Sequence, residues 1–257
     1  MWTRAELKAR GKLAFRANYW RTVLVAFIAT IITTGTATYK FNGDAKDVLK
    51  GDYQLDIPGD LTGGGDLAVL GLVGGLSLLV LIIAVAIAVF LINPIEVGCA
   101  NFFLSNTRNS ATNIDKLERG FKPNYKNIVK AQFMTQLSIL LWSFLFIIPG
   151  IYKAYQYRLV PYILAEDPDM DYKEAMLLSK QAMDGSKMAA FVLDLSFIGW
   201  EILGALTFGI LDLLYVNPYV QATNAELYIK LVHPSEAEYL DSDHVEAKTV
   251  EFTVEEN

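Results

Sequence analysis

Residues 67–92, LAVLGLVGGLSLLVLIIAVAIAVFLI, form one unbroken apolar run with no charged side chain. At about 1.5 Å of helical rise per residue the run outlasts the roughly 30 Å hydrocarbon core of a bilayer. In lipid such a segment has to be helical, because only a helix satisfies its own backbone polar groups there. The expectation is an integral membrane protein.

Composition points the same way. Of 257 residues 53% are hydrophobic, with a mean hydropathy of +0.30, and the apolar residues come in blocks rather than at the period of a soluble amphipathic fold. The net charge of -6 hides an asymmetry. Residues 1–21 carry Arg4, Lys8, Arg10, Lys12, Arg16 and Arg21 against Glu6 alone. The segment after Leu231 carries eight acids against Lys248. A basic start and an acidic end point to different surroundings and not to a nucleic-acid partner. The single cysteine, Cys99, excludes an intrachain disulfide and reads as a small packing residue. The basic opening is too long for a cleavable secretory signal, and the apolar segment after it lacks a convincing cleavage site, so it reads as a retained first anchor.

Along the chain, Thr3 and Glu6 have capping-box spacing at the start of an amphipathic helix. Arg4, Lys8, Lys12 and Arg16 recur every four residues on it, while Trp2, Leu7, Phe15, Tyr19 and Trp20 offer apolar and interfacial anchors. Its basic face is either a contact for anionic lipid headgroups or only a signal that keeps this end in the cytoplasm. Candidate spans follow at 22–38, 67–92, 132–148, 151–165, 189–206 and 210–231. The polar stretch 39–66, with six aspartates, is expected outside the cytoplasm. The lysine- and arginine-rich 107–130 is expected inside. Asp171 and Glu174 have capping-box spacing, and Gly185 is a stop, so 166–188 holds a short amphipathic connecting helix. Residues 1–232 then form one membrane domain, and 233–257 an acidic, disordered tail.

An internal repeat organises the spans. LINPIEVGCANFFL and YVNPYVQATNAELY both place Asn-Pro after an apolar run, and IIPGIYKAYQYRL is a looser third copy. Three hairpins give an all-α, polytopic transmembrane bundle of six spans with both termini in the cytoplasm. Four long spans, with proline merely kinking unrelated helices, are the competing arrangement.

Several stretches together resemble the Domain-of-Unknown-Function 975 family of bacterial integral membrane proteins. They are LKARGKLAFRANYW, LLWSFLFIIPGIYKAYQYRLVPYILAEDPDM, EAMLLSKQAMDGSKMAAFVLDLSFIGW and VNPYVQATNAELY. The resemblance implies a polytopic helical membrane protein and supplies no activity.

The chemistry worth weighing is a set of acids in apolar sequence. Asp194 and Glu201, seven residues apart, share a helix face, and Asp212 joins the stripe if the helix is continuous. Lys153 and Arg158 are the candidate partners. Charges at membrane depth are costly and face a protein interior, a partner or water. The set reads either as an ion, proton or polar-substrate pathway, or as structural pairing, which the lack of an obvious relay favours. His233 and His244 lack any HExxH context, so no metal or other cofactor is expected. Gly63, Gly65 and Asp66 fit a GxGD pattern, but without a Tyr-Asp partner motif. Nucleotide-binding and serine-hydrolase motifs are absent. The leading expectation is therefore a non-enzymatic membrane scaffold or accessory that engages lipid or a membrane protein partner. A transporter or channel component is the alternative.

Overall fold

The computed structural model describes residues 2–38, 74–80, 82–83, 86–109, 112–122, 124–240 and 242, and all regular structure among them is helical. The loop 39–66 with its GxGD pattern, residues 67–73, His244 and the tail beyond 242 lie outside the described residues.

Helix α1 (Arg4–Ala17) starts as its sequence dictates. Thr3 Oγ1 accepts from the Glu6 amide at 3.2 Å, and Glu6 Oε2 accepts from the Thr3 amide at 3.4 Å. After a break at Asn18 comes α2 (Tyr19–Thr38). The apolar run is helical at 74–80, 82–83 and 86–87, then widens into a π turn at Ala88–Ile92 and continues as α3 (Asn93–Arg108). The same device recurs near the end of the chain, where a π turn at Asp212–Val216 leads into α10 (Asn217–Val232). In both places Asn-Pro opens the helix. Proline has no N–H to give the carbonyl four residues back, and a π turn relieves the clash of its ring with that carbonyl. The carbonyls concerned are those of Phe90 and Leu214. Each is taken by a tyrosine hydroxyl from another helix: Tyr125 donates to Phe90 O at 2.5 Å, and Tyr19 donates to Leu214 O at 3.4 Å. The repeat is thus structural, extending to how each freed carbonyl is satisfied.

The two Asn-Pro helices pack against each other, and the rest of the fold is laid on that pair. Phe102, Phe103 and Leu104 of α3 and Leu227, Tyr228 and Ile229 of α10 are fully buried at its centre. α1 lies along α10 and turns Leu7, Arg10 and Phe15 inward. Leu7 and Phe15, expected as interfacial anchors, are therefore core residues, while Trp20 stays exposed.

Two hairpins project from this core. α4 (Tyr125–Leu145) ends at Phe146, whose extended backbone (φ -156, ψ 146) sends α5 (Ile147–Gln156) back along α4. The candidate spans 132–148 and 151–165 put this break at Pro149-Gly150. Pro149 instead falls in the first turn of the returning helix, where its missing N–H costs nothing. Gly150 then sits against Ser143 so closely that a methyl group would not fit. A short helix, α6 (Val160–Glu166), completes the return and packs on α3. After the connecting helix α7 (Tyr172–Ala182), capped by Asp171 accepting from the Lys173 amide at 3.1 Å, α8 (Lys187–Leu195) and α9 (Ile198–Leu206) lead to the second tip. There Phe208 (φ 54) and Gly209 (φ 81) reverse the chain, and a β-carbon at Gly204 would come within 2.9 Å of Asp212 Cβ on the return arm. The reversal falls in the gap between the candidate spans 189–206 and 210–231.

By length and composition, Tyr125–Leu145 and Lys187–Leu206 are the two stretches among the described residues that are long and apolar enough to cross a membrane. The packed body also runs past residue 232. Residues 234–240 are helical, and Ala237 is fully buried.

Candidate functional site

A polar seam lies where the hairpins meet the central helix pair. Its strongest element is Arg158, carried between α5 and α6. The guanidinium grips Asp194 of α8 with two bonds, Nη1 to Oδ2 and Nη2 to Oδ1, both 2.7 Å. Nη2 also donates to Asn224 Oδ1 of α10 at 2.7 Å. The Tyr155 hydroxyl adds a third donor to Asp194 Oδ2 at 2.7 Å. Bidentate, charge-assisted geometry of this kind is strong and directional. It joins three segments distant in sequence.

The other acids expected beside Asp194 are not brought there. The chain turns out of the α8 helix at Ser196 and Phe197, which resets the helical phase, so Glu201 ends up on the exposed surface. Asp212 follows the reversal at 207–209 and faces Gly204 instead of continuing a stripe. Lys153 also stays apart. It lies over the rings of Trp142 (5.1 Å) and Tyr157 (5.4 Å). Positions 153 and 158 differ by about 140° around a helix, so one helix cannot aim both at the same carboxylate.

On the other side of Arg158 the seam holds a group that the sequence reading passed over. Glu96, on the first turn of α3, accepts from Gln132 Nε2 of α4 at 3.1 Å, and one turn along α4 Gln136 Nε2 donates to Asn93 Oδ1 at 2.8 Å. Glu96 is exposed, and its side chain lines a cavity. The cavity measures about 390 Å³ and is lined by Glu96, Gln136, Arg158, Tyr162, Gln221 and Asn224, with Ile92, Ile95, Cys99, Ala100 and Pro161 as its apolar wall. The available signal was a lone acid two residues after Asn-Pro, in the otherwise apolar LINPIEVGC.

Two further charge networks tie the helices together. Arg10 and Glu226 form an ion pair at 2.7 Å between α1 and α10, with side chains only 6% and 2% exposed. Arg108 bonds Glu236 at 2.5 and 2.8 Å and Glu166 at 2.5 Å, and Glu166 Oε2 is also met by the Tyr228 hydroxyl (2.5 Å) and His233 Nε2 (2.8 Å). Partial burial acts to raise the pKa of Glu166, but the bonds from Tyr228, His233 and Arg108 overcome it and hold the carboxyl below its usual range. The start of the segment read as a disordered tail is thereby tied to α3.

Of the basic face of α1, Arg4 and Arg16 are exposed, while Lys12 is half-buried. Lys8 is engaged: its Nζ donates to Ser196 O at 2.9 Å and lies 3.9 Å from the centre of the Phe197 ring. Burial and then the charge of Arg4 lower its pKa. Among the described residues no group of three or more His, Cys, Asp or Glu side chains is placed to hold a metal ion.

The fold and seam define an all-helical bundle with outward-facing apolar hairpin tips and interlocked charges between its helices. Residues 79–234 match the family described as Protein of unknown function (DUF975), and the chain belongs to that family. No curated protein and no solved structure matches it.

Proposed function

We propose that this chain is an integral membrane bundle of three helical hairpins, six spans in all, which serves as a non-enzymatic scaffold or accessory engaging membrane lipid or a partner protein. The observation that carries this reading is where the large apolar side chains point. Leu140, Leu141, Phe144 (84% exposed), Phe146, Ile147 and Ile148 (81%) stand outward on the first described hairpin, and Ile202, Leu206, Phe208 (98%) and Ile210 on the second. Leu76, Leu78–Val80, Ile82, Ile83 and Ile87 do the same along the apolar run. Soluble monomers rarely expose contiguous apolar patches beyond a few hundred Å². Polar residues, by contrast, meet inside. That inversion suits lipid as the solvent for one half of the molecule. The reversal at Phe146 favours hairpins over four long spans, because 132–165 is folded back on itself.

The basic segments 4–21 and 107–130 favour a cytoplasmic charged end and cytoplasmic termini in a bacterial cell membrane. A transporter or channel built on Asp194 and Glu201 has less support, since Arg158 and Tyr155 take up Asp194 and Glu201 faces outward. Alkaline carbonate extraction of cell membranes tests the reading: the chain should stay in the pellet and leave only with detergent. Release by carbonate alone counts against it. So does turnover of a phospholipid, peptide or nucleotide by the purified protein beyond that of acid-to-alanine variants.

A further inference from the structure

We infer that the cavity between α3, α4, α6 and α10 is a binding site for a small ammonium group, held by the Glu96 carboxylate. The inference goes beyond the scaffold reading and does not depend on it.

It starts from charge. The cavity wall carries one acidic and one basic side chain, Glu96 and Arg158, and only Arg158 is matched by a partner charge. Arg158 has Asp194 against it in a bidentate pair, which leaves that corner neutral. Glu96 has the neutral amide of Gln132, and among the described residues no Lys, Arg or His nitrogen lies within ion-pair distance of it. The Arg158 charge is therefore compensated by another side chain, and the Glu96 charge is not. One neutral hydrogen bond from Gln132 leaves most of the acceptor capacity of the Glu96 carboxylate unused. A cation entering the cavity would supply the missing partner.

The remaining chemistry narrows the cation. Gln136 spends its NH2 group on Asn93 Oδ1, so its own carbonyl oxygen remains as an acceptor, and Gln221 brings a further amide to the wall. One carboxylate with amide oxygens suits the several N–H donors of a primary ammonium. A bare divalent ion would want more than one carboxylate at short range. The apolar wall of Ile92, Ile95, Ala100 and Pro161 suits a short carbon stem, and about 390 Å³ accommodates a group of a few heavy atoms. Two sources share this chemistry: the headgroup of an aminophospholipid and a free alkylamine.

The test uses the full chain in maltoside micelles and amine-free buffer, titrated with ethanolamine and, separately, with short-chain phosphatidylethanolamine and the matched phosphatidylglycerol. Calorimetry reads binding. Saturable binding of ethanolamine points to a free amine, and binding of phosphatidylethanolamine alone to a lipid headgroup; either supports the site. In both cases Glu96→Gln should weaken binding by about tenfold or more, a full ion-pair effect, while exposed Glu174→Gln leaves it unchanged. Undiminished binding by folded Glu96→Gln overturns the inference. So does wild-type protein that binds neither probe, binds phosphatidylglycerol as tightly as phosphatidylethanolamine, or takes acetate as readily as ethanolamine. These last outcomes need no variant to fold.

Discussion

Replacing Asp194 by alanine removes three acceptor contacts at 2.7 Å, two from Arg158 and one from Tyr155. The guanidinium left behind is 18% exposed, against 36% for the carboxylate. Losing one member of a fully buried ion pair costs about 3–5 kcal/mol, whereas an exposed pair contributes about 0–1 kcal/mol. A mostly buried arginine facing a carboxylate with partial water access falls between, and Asp194→Ala should cost about 2–3 kcal/mol. Because much of that loss is the stranded charge, the double variant Arg158→Met/Asp194→Leu should recover a large part of it. Urea unfolding in maltoside micelles, followed by circular dichroism and tryptophan fluorescence, compares wild type, Asp194→Ala and the double variant. A cost below about 0.5 kcal/mol for Asp194→Ala, or a double variant no more stable than the single, would refute the structural role assigned to this pair.

Three further outcomes follow from the same contacts. Gly150→Ala forces a methyl group into Ser143 and should lower stability by about 1–3 kcal/mol, while Gly199→Ala, with open space around it, should be neutral or slightly stabilising; thermal melts of both variants decide this. Tyr125→Phe strips the Phe90 carbonyl of its donor and should cost about 1–2 kcal/mol in the same urea assay. Glu166 is held below its usual pKa in the folded protein, so its contribution is fully present above the unfolded value, about 4.3, and is lost as pH falls through the lower folded value. Wild-type stability should therefore decline on acidification below about pH 4, and a pH series on Glu166→Gln should show a shallower decline.

The parts of this fold legible in the sequence are those that depend on local rules. The apolar run, the Thr3–Glu6 capping box, the Asn-Pro repeat and the turn at 206–209 are each written in contiguous residues. The pairings that close the bundle are not. Arg10 sits among five other basic residues, and nothing nearby marks it as the partner of Glu226, 216 positions away. Likewise Glu236 reads as one more acid of the tail until α3 brings Arg108 to it. The acid stripe fails for a different reason: period-3.6 arithmetic assumes an unbroken helix, and the chain breaks at Ser196 and reverses at Phe208. Glu96 was hidden by its own amphipathic context, since a single acid near a helix start is ordinarily a first-turn residue facing solvent.

The three-hairpin account is tested most directly by the location of α7, which lies inside the cell with six spans and outside it with four. Gln181 is exposed on that helix, whereas neighbouring Ser179 is buried. In a Cys99→Ala background, Gln181→Cys in intact cells should resist an impermeant thiol reagent and react only after permeabilisation. Labelling from outside in intact cells would contradict the account.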